Sequence, residues 1–271
     1  MNQLTQDIQS IVEQVGGTWG IVLEDLNTSE TWAINEAELF YAASVIKVPI
    51  MAAAFAAFEK GLLSLDDWHT LKKEELVGGS GVLQHMTPGT KLSLYDIITL
   101  MIIQSDNTAT NILIDKLGVE GIQKTMSDAG MTKSTFFNKL MVVPANRKGS
   151  NEITAKDISS LLKSIVNGQL ISHYACEKMI EIMKKQQIRN GLPGKWPYES
   201  TDVIGEIPKW EIANKTGWVP GIRHDAGVFY VGEKKMIVTV LSKDVDDLKS
   251  EETLAEIGEC LYKYLKGARI G

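Results

Sequence analysis

The sequence predicts an α/β plus all-α fold: an antiparallel sheet flanked by helices, with a helical domain inserted between its strands. Two observations carry this prediction. Strand-like apolar runs are confined to the two ends of the chain, and the long middle stretch has helical periodicity. A third supports it: 271 residues suffice for one large domain or two closely packed ones, and 44% hydrophobic with 23% charged residues is ordinary for a globular enzyme. The boundaries drawn from this pattern are 1–40 with 200–271 for the α/β domain and 41–199 for the helical domain, with a site expected in the cleft between them.

Taken in order, Leu4, Ile8, Ile11 and Val12 mark one face of a helix over about residues 3–15, ended by Gly16-Gly17. Trp19 to Leu23 and Glu30 to Ile34 flank Asn27-Thr28 as strand, turn and strand. From Ser44 to about residue 185 the pattern is helical. Leu92 to Gln104 is strongly apolar, with Ser93 and Asp96 at capping-box spacing. Thr154 and Asp157 repeat that spacing ahead of a helix expected to end near Gly168. Strand character returns at Glu211 to Thr216. Gly227 to Val231 then pairs with Met236 to Val240 across Gly232 to Lys235. Leu254, Ile257, Leu261 and Leu265 give a last amphipathic helix over about 250–265.

Composition narrows the function classes. A net charge of −6 with no basic block gives no footprint for nucleic acid or an anionic membrane, so neither is expected as a partner. No run of about 18 apolar residues occurs, so no membrane span is expected. The first ten residues have neither a basic n-region nor an apolar h-region, so the chain as given reads as cytoplasmic, or as secreted with a leader removed. His69, His85, His173 and His224 have no ligand-type partner at metal-binding spacing, and no metal or other cofactor is expected. Cys176 and Cys260 read as free thiols, although spacing alone leaves their pairing open.

Three polar motifs stand in fixed order: Ser44-Val45-Ile46-Lys47, Ser105-Asp106-Asn107 and Lys215-Thr216-Gly217. The first is weak alone, because Ser160-Leu161-Leu162-Lys163 fits the same spacing. A serine hydroxyl needs a base to become a nucleophile. Lys47, three residues on, shares a helical face with Ser44, and the apolar residues around it favour a depressed pKa. Ser105 follows a buried-looking run, where its hydroxyl can relay a proton to a leaving nitrogen and Asn107 can orient Lys47 or a substrate amide. Lys215 and Thr216 end a strand where both can face a substrate carboxylate, and Gly217 permits close backbone approach. Gly78-Gly79-Ser80-Gly81 lacks the Lys-Ser/Thr of a phosphate loop and reads as a rim of the cleft. Arg223 and His224 read either as an added cation for a carboxylate or as an ordinary surface loop.

The three motifs in this order form the signature of class A β-lactamases and penicillin-binding proteins. From about residue 18 to the C-terminus the chain resembles the class A β-lactamase-like serine hydrolase family. The resemblance implies a β-lactam or peptide-like small-molecule substrate. It implies Ser44 as the acylated nucleophile, Lys47 as the base for acylation and Ser105 as proton donor to the leaving nitrogen. It puts Asn107, Lys215 and Thr216 in substrate binding, and an oxyanion hole at the N–H groups of Ser44 and Trp218, beside Gly217. One part departs from the family. The stretch from Asn138 to Arg147, where class A enzymes carry Glu-x-x-Leu-Asn for deacylation, holds no acid. Glu152, the nearest carboxylate downstream, reads as a first-turn partner of the following helix. The expectation is therefore a serine hydrolase that forms an acyl-enzyme with β-lactams, a class A-type β-lactamase with slow deacylation. A penicillin-binding or D-Ala-D-Ala peptidase-like enzyme or another amide or ester hydrolase, and a catalytically silent binding protein of the same fold, are the alternatives.

Overall fold

The computed structural model describes residues 1–142, 148–197 and 209–267. Helix α1 (Asn2–Val15) buries Leu4, Ile8 and Val12 and stops at Gly16, whose φ of 79° suits glycine. Strands β1 (Thr18–Asp25) and β2 (Thr31–Ile34) follow, then the short β3 (Phe40–Tyr41). A single tight turn, Ala43–Ile46, leads into α2 (Lys47–Glu59). Strands β4 (Trp68–Thr70) and β5 (Lys91–Ser93) form a small ladder, followed by α3 (Leu94–Ile103), α4 (Asn107–Leu117) and α5 (Val119–Asp128). Strand β6 (Glu152–Ile153) pairs with β3 and precedes α6 (Ala155–Val166) and α7 (His173–Lys184). The chain closes with β7 (Trp210–Val219), β8 (Ile222–Val231), β9 (Lys234–Lys243) and α8 (Asp247–Lys266).

The main sheet is antiparallel, ordered β2-β1-β9-β8-β7, so both ends of the chain build it. Its strands alternate between two cores. Ile21, Leu23, Val238 and Val240 pack with α1 and α8, whereas Val22, Ile237, Ala226 and Val228 join the core of the middle helices. With both faces covered, the strands read as nearly continuous apolar runs. Helix α2 runs through the helical part, with every residue from Lys47 to Phe55 buried. A helix apolar all round has no solvent face, and that enclosure also takes Lys47 out of water.

Several local expectations change. The middle region is helical but punctuated by β3–β6, β4–β5 and an isolated bridge between Thr135 and Glu152. Glu152 lies in β6 and is not in the first turn of α6, where Asp157 stands instead. Thr154 caps α6 by accepting from the Asp157 N–H, but the Asp157 carboxylate turns away to accept from Lys133 N, Ser134 N and Ser134 Oγ. The turn between β8 and β9 is only Gly232-Glu233, because Val231 pairs directly with Lys234. Arg223 and His224 lie within β8 and not on a surface loop. Cys176 is buried, Cys260 half-buried, and both are free. No helix among the described residues is long and apolar enough to cross a membrane.

Candidate active site

Ser44 sits in the tight turn ahead of α2, and Lys47 is the first residue of that helix. The turn is held under tension: Ala43 has φ of 41°, a left-handed conformation costing a non-glycine residue roughly 1–3 kcal/mol. Ala42 N donates to Asn151 O at 2.9 Å, and His224 Nε2 donates to Tyr41 O at 2.9 Å, anchoring the approach to Ser44. Ser105 is a second left-handed residue, with φ of 51°, at the corner between α3 and α4. Asp106 holds this corner. It caps α4 by accepting from Ala109 N, and its other oxygen accepts from Val82 N at 2.7 Å and Leu83 N at 2.8 Å. The glycine-rich loop is thereby tied to α4, and Asn107 N donates to Ser80 O.

The Lys47 amine lies at the centre of the first two motifs. Nζ is 3.1 Å from Ser44 Oγ, 3.1 Å from Ser105 Oγ, 2.7 Å from Ser105 O and 2.8 Å from Asn107 Oδ1. Two of these neighbours, a carbonyl and an amide oxygen, only accept; the two hydroxyls can donate. A neutral amine has two N–H donors for the two obligatory acceptors, which leaves its lone pair for a hydroxyl. The electrostatics favour that state. Burial first, then the Lys215 ammonium, hold the Lys47 pKa well below the usual lysine range, against a smaller opposing pull from Asp106. Asn107 is fixed in the required orientation because its Nδ2 donates to Gly78 O at 3.1 Å.

The third motif lies on the edge strand β7, which packs against the Ser44 turn. A Cβ on Gly217 would come within 3.2 Å of Ser44 N, so only glycine lets the strand approach this closely without displacing the turn. Thr216, Gly217 and Trp218 line a cavity of about 170 Å³ with Ser44, Ser80, Ser105, Arg223 and His224. Lys215 does not reach its surface. It is fully buried, and Nζ donates to Thr216 O at 2.7 Å. Burial pulls its pKa down to about 7, partly opposed by the Asp225 carboxylate. Asp225 is itself pushed up to about 6 by burial, although Asn214 Nδ2 and Leu192 N donate to it.

His224 is fully buried, and desolvation drops its pKa to about 4, so it is neutral at ordinary pH and supplies no cation. Its Nδ1 accepts from Ser242 N, leaving the proton on Nε2 for Tyr41 O. The cation at the cavity is Arg223. Its guanidinium pairs with Glu251 at 2.8 Å and stands 5.5 Å from the Trp218 ring. A second, wider cavity of about 460 Å³ shares Ser44, Ser80 and Trp218 and adds Asn107, Leu140 and Met141.

Sequence reasoning missed the pair Asn111–Leu140. Asn111 Nδ2 donates to Leu140 O at 2.8 Å, and Leu140 N donates to Asn111 Oδ1 at 2.9 Å. Its only signal was a second asparagine four residues after Asn107, on the same helical face. Neither cavity has a carboxylate among the described residues that line it. Part of the acid-free stretch, residues 143–147, lies outside the described residues. The competing Ser160 and Lys163 are both exposed on α6, with Lys163 paired to Glu24. No group of three or more His, Cys, Asp or Glu among the described residues could hold a metal.

A family model described as the beta-lactamase enzyme family matches residues 3–265. The chain belongs to the beta-lactamase enzyme family. Beta-lactamase 1 of Bacillus cereus is 27% identical over 276 residues, covering 97% of this chain and 84% of that protein. A beta-lactamase of Rhodobacter capsulatus is 29% identical over 192 residues, or 70% of this chain and 65% of that protein. Among solved structures, the beta-lactamase from Sphaerobacter thermophilus superposes with a TM-score of 0.87 at 27% identity, covering 98% of this chain and 97% of that one. PBP-A superposes with a TM-score of 0.84 at 24% identity over 98% and 97% of the two chains. The fold expected from the sequence, a sheet built by both termini around inserted helices, is the fold of this family.

Proposed function

We propose that this member of the family is a serine hydrolase that β-lactams acylate at Ser44, of the class A type, with slow release of the acyl group. The observation that carries this reading is the buried Lys47 amine, 3.1 Å from both the Ser44 and the Ser105 hydroxyls. In the proposed step, Lys47 Nζ takes the Ser44 proton as Oγ bonds to the substrate carbonyl carbon. The N–H groups of Ser44 and Trp218 receive the developing oxyanion, as preorganised donors do at the largest gain. The proton then passes from Lys47 through Ser105 Oγ to the leaving nitrogen, the C–N bond breaks, and the lone pair of Lys47 is restored. Asn107 acts here by holding Lys47 and not by binding substrate.

The substrate carboxylate is assigned to Thr216 and Arg223. Both line the smaller cavity beside Ser44 and Ser105, and Arg223 brings a guanidinium to its wall. Lys215 adds positive field from behind Thr216. Among the described residues the family's deacylating carboxylate has no counterpart on either cavity wall, which supports slow deacylation and keeps a penicillin-binding role as the second reading. Intact-mass analysis after mixing with a penicillin and with a chromogenic cephalosporin separates the two. Rapid turnover favours a β-lactamase, and a long-lived adduct favours the penicillin-binding role. Ser44→Ala removes either outcome; an adduct that survives this substitution refutes Ser44 as nucleophile, and complete inertness of the parent protein refutes acylation altogether.

A further inference from the structure

We propose that Gln186 is a positioning residue for acylation: its side-chain amide holds the Ser105 corner at a set distance from the free edge of β7. The inference rests on the acylation reading above and adds to it a residue that lines neither cavity. Gln186 lies just beyond α7 and is 1% exposed. A buried amide needs its hydrogen bonds made, and this one makes three, each to main chain. Nε2 donates to Ile102 O and to Asn214 O, both at 3.1 Å, and Oε1 accepts from Ile188 N at 3.0 Å.

Each partner adjoins a part of the proposed machinery. Ile102 stands in the last turn of α3, three residues before Ser105. The N–H four residues on, at Asp106, goes to Leu100 O, so Gln186 takes up a carbonyl that the helix end leaves open. Asn214 directly precedes Lys215 on β7. The pairing of β7 with β8 runs unbroken from Trp210 with Val231 to Val219 with Ile222, so residues 214, 216 and 218 turn their backbone groups to one edge. That edge is the free one, because β7 is outermost in the sheet and Asn214 O meets Gln186 there. The Trp218 N–H, the proposed oxyanion donor, lies four residues along it. Ile188 lines the smaller cavity.

The two carbonyls that Gln186 joins are both acceptors, and a primary amide nitrogen carries the two N–H donors needed to bridge them. The tie to α3 is repeated by Gln187 N, which donates to Ile103 O at 3.2 Å, so what the Gln186 side chain adds is the tie to β7. Across that tie, Ser105 Oγ must reach the leaving nitrogen while Trp218 N–H reaches the carbonyl oxygen of the same substrate. A misplacement of about 1 Å between such groups costs on the order of 10²-fold in rate.

Two β-lactams weigh the proton relay differently. The nitrogen that leaves a penicillin becomes an ordinary amine and needs its proton. That of a chromogenic cephalosporin is conjugated with the ring double bond and leaves with less help. The second-order acylation constant at Ser44 is measured by intact mass with both compounds for the parent protein, Gln186→Met and Gln186→Glu. Both substitutions keep the length of the side chain and remove the paired N–H donors, and Gln186→Glu retains an acceptor for Ile188 N. In each variant the penicillin constant is expected to fall at least about tenfold, and the penicillin-to-cephalosporin ratio at least about threefold. A merely structural role lowers both constants together, through the fraction of folded protein, and leaves the ratio where it was. An unmoved ratio in both variants, or undiminished constants, overturns the assignment while leaving acylation at Ser44 intact. A parent protein that neither compound acylates overturns the serine hydrolase reading and this assignment with it.

Discussion

In the proposed reaction the protonation state of the buried Lys47 decides whether Ser44 is a nucleophile. Two forces depress the Lys47 pKa, burial first and then the neighbouring Lys215 ammonium, and the second is a charge that one substitution removes. Lys215→Ala should therefore raise the Lys47 pKa, since removing a like charge favours the charged form. The proposed acylation requires the neutral amine, so its rate is expected to climb with pH and level off above the Lys47 pKa. In the variant that climb moves to higher pH, most visibly below about 7, where Lys215 itself is charged. The measurement is the acylation constant as a function of pH for both proteins, and an unmoved profile would show that the Lys215 charge is not felt at Lys47. Leu140 poses the complementary question. Its backbone is clamped by Asn111 and it lines the cavity that contains Ser44, where no described carboxylate stands. Leu140→Glu should add a general base for water and shorten the acyl-enzyme lifetime at least about tenfold, within the roughly 10²–10⁴ that such groups supply. Adduct decay followed by mass spectrometry reads this directly, and an unchanged lifetime counts against the position.

At the scale of elements, close approach recurs as the device that brings helices, turns and strands into register. Gly217 lets β7 reach the Ser44 turn, and Gly81, with φ of 106°, lets the glycine-rich loop pass within 2.4 Å of Asp106 Cα as measured from a Cβ built on it. Gly258 does the same for α8. A Cβ there would lie 1.6 Å from Leu192 O, and Trp196 Nε1 donates to Gly258 O at 2.7 Å across the same contact. Helix propensity alone predicts that Gly258→Ala stabilises by about 1 kcal/mol. The clash is with backbone, which has no rotamer to yield, so overpacking should win by about 3 kcal/mol and lower the melting temperature. A melting temperature that rises would mean that α8 has room to shift. These contacts also explain what the sequence left hidden. The motifs were legible because each candidate catalytic group is supplied by a short local stretch, and periodicity located the helices that follow them. The burial of Lys215 depends on β7 pairing with β8, which sets Asp225 opposite Thr216. Likewise Ser160 and Lys163 share the spacing of Ser44 and Lys47 but lie together on an exposed face of α6, whereas Ser44 stands in the turn ahead of the enclosed α2.

For the whole molecule, the sheet was readable as strands at both ends, but its order was not, since alternation specifies faces and not neighbours. The pairing that closes it joins β1 to β9 along eight residues, from Thr18 with Lys243 to Asp25 with Met236. These partners lie roughly 200 residues apart in the chain. A contact so distant in sequence is slow to form, because the loop must close before the ladder rewards it. During synthesis one edge of β1 has the short β2, while the other edge waits for β9, roughly 200 residues later. At ordinary elongation rates that interval is of order tens of seconds. The same pairing that places β1 beside β9 in the folded sheet thus makes the nascent chain dependent on whatever shields an unpaired strand edge until β9 is made.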